Sequence, residues 1–170
     1  MHVISLASFF PDFSASSGMT KFLEADLKAV DRSVTPWIVV DVHAPWYNSN
    51  TQHTNDGVKM RTAYEQLLNQ YGASIYIAGH VHAYERTCPV LGGKCVADGA
   101  AARFFTCGDG GASLYTKWIA QPAWSEVRVA EYGHCEITFH NATWSPLKWV
   151  RNADAAGKFS DSIDIMNVGL

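Results

Sequence analysis

The sequence has no block of like charge. Its thirteen Lys and Arg are scattered singly among sixteen Asp and Glu, for a formal net charge of -3, so no basic stripe is available for nucleic acid or an anionic membrane. Charged residues are scarce altogether, at 17% against about 25% in an ordinary globular chain. Together with a hydrophobic share of 48%, that scarcity excludes disorder and leaves apolar surface for a core. Long apolar runs are also missing: residues 37–42, among the longest, fall far short of the roughly 20 that cross a bilayer as a helix. The first residues lack the basic segment and small-residue cleavage site of a signal peptide and read as a short strand. No partner among nucleic acids or membranes is expected, and 170 residues fit one domain.

The four cysteines include no CxxC pair, which argues against a thiolate zinc site. Cys88 and Cys95 bracket a turn-rich loop, and Cys107 and Cys135 fall in strand-like runs. Two disulfides and four buried free thiols both remain open readings. Asn141-Ala142-Thr143 is a sequon that accepts an N-glycan in a secreted protein. No GxSxG elbow is present, so a serine-dependent α/β hydrolase is excluded.

The chain changes character midway. Residues 2–7 read as a strand. Met19, Phe22, Leu23, Leu27 and Val30 fall on one helical face, with Thr20 as its N-cap. The β-branched run Trp37-Ile38-Val39-Val40-Asp41-Val42 reads as a strand covered on both faces. Met60, Tyr64, Leu67, Leu68 and Tyr71 predict a second helix ending at Gly72, and residues 74–78 a further buried strand. This βαβαβ order predicts an α/β fold with a mainly parallel sheet. After Arg86 the helical pattern stops, and runs at 103–107, 126–132, 135–139, 147–151 and 162–166 read as strands of a second, more antiparallel sheet.

Three histidines carry the chemistry. His43 directly follows the run 37–42, and His80 and His82 follow 74–78 across Gly79. Ligands of open α/β sheets bind beyond the strand C-termini, so three imidazoles are expected to converge in that crevice as metal ligands. Imidazole suits zinc, iron, manganese and nickel alike. His2, His134 and His140 have no ligand spacing. Gly108-Asp109-Gly110-Gly111 lacks the following helix and lysine of a P-loop and reads as a tight turn.

Val40-Asp41-Val42-His43-Ala44-Pro45-Trp46-Tyr47-Asn48-Ser49 and Gly79-His80-Val81-His82-Ala83-Tyr84-Glu85-Arg86 resemble the VxxH and GHxH metal motifs of the purple acid phosphatases, within the calcineurin-like metallophosphoesterases. The resemblance extends upstream over Glu24 to Arg32. Downstream it takes in Gly108-Asp109-Gly110-Gly111, Gln121 to Ser125 and Tyr132-Gly133-His134. It implies part of an αββα sandwich: residues 1–86 as a βαβαβ unit with the metal histidines, and residues 87–170 as a β-rich C-terminal region. It also implies hydrolysis of phosphate monoesters at a binuclear centre of Fe(III) with Zn, Mn or Fe. On that resemblance His43 and His80 belong to the divalent site and His82 to the iron site. His53 falls where family members contact phosphate and protonate the leaving alcohol. Gln52 and Val58-Lys59 depart from the family pattern, which has a histidine and an acidic residue there.

The upstream family motifs DxG, GDxxY and GNHE have no counterparts before His43. Three histidines without a bridging carboxylate do not hold two metals in the family geometry. The resemblance therefore implies the C-terminal half of a secreted or vacuolar acid phosphatase, inactive without its N-terminal half. A non-catalytic, metal-binding or scaffold remnant is the alternative.

Overall fold

A computed structural model of the chain describes residues 1–153 and 161–169. Its first half follows the hydrophobic pattern closely. Strand β1 (His2–Leu6) leads to helix α1 (Gly18–Ala29), β2 (Ile38–Val42), α2 (Val58–Gln70) and β3 (Ala73–Ala78). Helix α1 is capped by Ser17, whose hydroxyl accepts from the Thr20 amide, rather than by Thr20 itself. Thr20 lies inside the first turn, where its hydroxyl is 2.8 Å from the Tyr64 hydroxyl of α2. The capping role goes to the residue outside the helix because its side chain reaches the free amides. Helix α2 runs out at Gly72, whose φ of 76° turns the chain into β3.

β1, β2 and β3 pair in parallel. Then come β4 (Tyr84–Leu91), the short β5 (Lys94–Cys95), β6 (Arg103–Cys107) and β7 (Ser125–Val129). β6 pairs in parallel with β3, while β4 runs antiparallel between β6 and β7. The result is a seven-stranded mixed sheet in the order β1-β2-β3-β6-β4-β5, with β7 also on β4. β8 (Gly133–Ile137), β9 (Trp144–Arg151) and β10 (Asp161–Met166) form a separate three-stranded antiparallel sheet. Both sheets of the expected kind are therefore present. The runs at 103–107 and 126–132, however, belong to the first sheet. Their partner is β4, a strand that the local pattern does not announce.

The large sheet is covered on both faces. Ile38, Val40 and Val42 point with Ile4, Leu6 and Tyr76 toward α1 and α2, meeting Leu23, Leu27, Tyr64 and Leu68. Trp37, Val39, Ile75, Tyr84 and Phe105 point the other way, onto Leu147, Trp149 and Ile165 of the small sheet. Two disulfides form, Cys88–Cys95 and Cys107–Cys135, and no cysteine is left free. The second ties β6 to β8 and hence one sheet to the other.

Candidate metal centre

His43 emerges where β2 ends, and His80 and His82 lie on the turn between β3 and β4. That turn is tightly wound: the Val81 amide donates to the Gly79 carbonyl at 2.6 Å and the Ala83 amide to the Val81 carbonyl at 2.8 Å. The Gly79 amide donates across to the His43 carbonyl at 3.2 Å, locking the two strand ends together. His80 and His53, with φ of 61° and 58°, are the non-glycine residues in the left-handed region among the described residues. That conformation costs an ordinary side chain energy, and it concentrates at functional sites.

His80 is the hub. Its Nδ1 lies 3.0 Å from His43 Nε2, and Asp56 accepts from its Nε2 at 2.9 Å. His53 joins from the other side: its ring centroid is 3.9 Å from that of His80, and its Nδ1 donates to the same Asp56 oxygen at 3.0 Å. Hydrogen bonding from His80 outweighs burial and, with His53, holds the Asp56 carboxyl below its ordinary pKa. His53, Asp56 and His80 offer ligand atoms that all lie within 4.8 Å of one another.

His43, His80 and His53 thus come together, whereas His82 does not join them. Its ring stacks on Tyr115, with centroids 4.4 Å apart and planes at 10°. Its Nδ1 donates to the Ser113 carbonyl at 2.8 Å. The carbonyl can only accept, so Nδ1 carries the proton and Nε2 keeps its lone pair, the arrangement found in metal-binding histidines.

The donor set fits a metal. Two nitrogens on one ion at about 2.0–2.1 Å stand roughly 3 Å apart, close to the spacing of His43 Nε2 and His80 Nδ1. Imidazole and carboxylate are ligands for zinc and iron.

The surrounding loops are fixed by burial. The chain after His43 is anchored by Glu85 of β4, which accepts from the Ser49 amide at 2.8 Å and from the Ser49 and Ser125 hydroxyls. It is also zipped to the 113–119 segment, with the Thr51 amide donating to the Lys117 carbonyl and the Ile119 amide to the Ser49 carbonyl, each at 2.9 Å. The turn at Gly108 packs directly on the histidine turn, where a Cβ would overlap the Val81 carbonyl oxygen. Asp109 faces inward and accepts from Trp149 Nε1 at 2.7 Å, so this turn braces the scaffold, as its sequence indicates.

Asp56 and Tyr115 escape sequence reasoning. Asp56 precedes α2 in a plain Asp-Gly turn, and only its spacing of three from His53 hints at pairing. The other histidines have ordinary partners: His2 bonds Asp26 at 2.7 Å, His134 bonds Asn152 at 3.1 Å, and His140 packs on Trp144.

A calcineurin-like phosphoesterase family model matches residues 7–84, and an iron/zinc purple acid phosphatase-like protein C model matches residues 105–162. Purple acid phosphatase 18 of Arabidopsis thaliana is 41% identical over 166 residues, covering 96% of this chain and 37% of that protein. The Fe(3+)-Zn(2+) purple acid phosphatase 12 of the same plant is 35% identical over 176 residues, covering 96% and 38%. The chain spans less than two fifths of the length of these curated relatives. The solved structure of purple acid phosphatase PPD1 from yellow lupin (Lupinus luteus) seeds superimposes with a TM-score of 0.87 at 24% identity, over 96% of this chain and 30% of that one. That likeness establishes the fold.

Proposed function

Belonging to the purple acid phosphatase family of calcineurin-like phosphoesterases, this chain, we propose, supplies the C-terminal half of a two-metal centre that hydrolyses phosphate monoesters at acid pH. The observation that carries the reading is the meeting of His43 and His80 at the ends of β2 and β3, 3.0 Å apart and beside a carboxylate. In it His43 and His80 hold a divalent ion and His82 an iron. The remaining ligands come from a preceding half outside these 170 residues. Metal ions held by these residues would supply Lewis acidity toward a phosphate ester and would lower the pKa of a bound water.

The chain's own residues then handle position and protons. Asp56 accepts from His53 Nδ1, which fixes the ring and leaves Nε2 to deliver a proton to the departing alcohol. A protonated imidazole is a general acid of the kind that step needs. Ser113 and Tyr115 hold His82 so that Nε2 is its free nitrogen.

The protein is proposed to work in the secretory pathway, outside the cell or in the vacuole. Two disulfides accord with an oxidising compartment, and Asn141 of the sequon is exposed.

Hydrolysis of p-nitrophenyl phosphate with iron, zinc or manganese tests the assignment. The isolated chain should show negligible turnover and hold at most one weakly bound ion. The chain joined to its upstream half should turn over, and His80→Ala should abolish that turnover. Two tightly held ions on the isolated chain, or full activity without His80, would overturn the reading.

A further inference from the structure

A carboxylate can only accept, so the 2.9 Å contact between Asp56 Oδ2 and His80 Nε2 puts a proton on Nε2. In a neutral imidazole that leaves Nδ1 as the nitrogen with the lone pair, and Nδ1 is the atom that stands 3.0 Å from His43 Nε2. Asp56 thus backs His80 from the nitrogen opposite the gap between the two histidines. Carboxylate, ring N–H and outward lone pair make up the arrangement that fixes the tautomer and orientation of a metal-binding histidine and raises its basicity.

The backbone on either side holds Asp56 in this place. At Gly57 the chain comes so close to the segment after β2 that a Cβ would stand 2.1 Å from the Pro45 carbonyl oxygen. Arg61, in the first turns of α2, donates from Nη1 to the Trp46 carbonyl at 3.1 Å and lies over the Tyr47 ring. Pro45, Trp46 and Tyr47 follow closely on His43, so the start of α2 is fixed to the same stretch of chain that carries that histidine. His80 needs such a hold, because its left-handed backbone is one that an ordinary side chain disfavours.

We propose that Asp56 is a positioning residue of the metal centre: it directs the Nδ1 lone pair of His80 at the ion that His43 shares, and so sets the affinity for an ion it does not touch. The inference rests on the phosphatase reading only in taking His43 and His80 to hold that ion. Since the same Asp56 oxygen also accepts from His53 Nδ1 at 3.0 Å, one carboxylate ties the metal ligand to the proton donor.

Zinc titration of this chain by calorimetry, together with ¹⁵N NMR of its imidazoles, tests the inference. The Asp56 side chain is 37% exposed, and its replacement should leave the fold intact. Asp56→Ala should weaken zinc binding by about tenfold to a hundredfold, and Asp56→Glu, which restores an acceptor, should return it to within about threefold of the native chain. The His80 Nε2 proton should be protected from exchange in the native chain, stay in place when zinc is added, and lose its protection in Asp56→Ala. Equal zinc affinity in the native chain and Asp56→Ala, or Asp56→Glu no better than Asp56→Ala, would overturn the inference. So would loss of the Nε2 proton on adding zinc, which would place the ion on that nitrogen beside Asp56. His43→Ala separates the two readings. Zinc binding lost there but kept in Asp56→Ala refutes the positioning role alone, whereas zinc binding unchanged in His43→Ala refutes the assignment of the ion and this inference with it.

Discussion

Glu85 is a carboxylate placed where water cannot reach it. It is 2% exposed, and its hydrogen-bond partners are the Ser49 amide and the Ser49 and Ser125 hydroxyls. Burial pushes its pKa up, against the lowering pull of those hydrogen bonds and of the Arg128 charge. A carboxyl whose pKa is higher folded than unfolded holds its proton more tightly in the folded state. Its contribution to stability is then full below the ordinary carboxylate value and is lost as pH rises through the folded value. Glu85→Gln keeps the shape and removes the titration. In urea denaturation the variant should therefore fall furthest behind the native chain near about pH 4 and recover ground toward neutrality. A difference that is flat across that range would show that Glu85 does not carry the effect. Glu85→Ala orphans the Ser49 amide and should cost about 1–3 kcal/mol.

At the scale of elements, the histidine turn depends on a neighbour that arrives from far along the chain. Gly108 follows β6 and lies against the Val81 carbonyl, so any side chain there must push the turn bearing His80 and His82 aside. Gly108→Ala should cost about 1–3 kcal/mol by overpacking and weaken zinc binding. Gly110→Ala, with nothing within 4 Å of its added Cβ, should change stability by no more than about 0.5 kcal/mol. Equal behaviour of the two in denaturation and zinc titration would refute the brace.

The same dependence on distant chain decides what can be read locally. β1, α1, β2, α2 and β3 are legible because each pairs or packs with near neighbours and so shows its own period. β4 is not: all its residues but the last are buried, which erases alternation, and its register shifts between Arg86 and Pro89. With β4 unseen, β7 has no visible partner in the first sheet, and β6 is reached there only by its long-range parallel pairing with β3. The histidines at the strand ends are legible because topology alone directs them to one crevice. Asp56 reaches His80 across 24 residues of sequence, through the angle at which α2 starts, and no local pattern encodes that angle.

For the molecule as a whole, the question is what keeps the two sheets in register. Apolar packing between Tyr84, Phe105, Trp149 and their neighbours supplies the bulk. Polar links cross the same gap: Asp161 of β10 accepts from the Tyr84 hydroxyl and the Arg86 Nε, each at 2.7 Å. Burial alone would raise the Asp161 pKa, but those hydrogen bonds outweigh it and hold the carboxyl below its ordinary value. The covalent link is Cys107–Cys135, with a sequence separation of 28, whereas Cys88–Cys95 has one of 7. Loop-closure entropy grows with the logarithm of length, so the longer link should stabilise by about 3–4 kcal/mol and the shorter by about 2–2.5. Position sharpens the contrast, because Cys107 adjoins the Gly108 turn that braces the metal histidines. Cys107→Ala/Cys135→Ala should therefore lose both stability and zinc affinity, while Cys88→Ala/Cys95→Ala should lose stability alone. If the two double variants lose zinc affinity equally, the metal site does not depend on how the sheets are joined, and His82 must be held by its own loop through Ser113 and Tyr115.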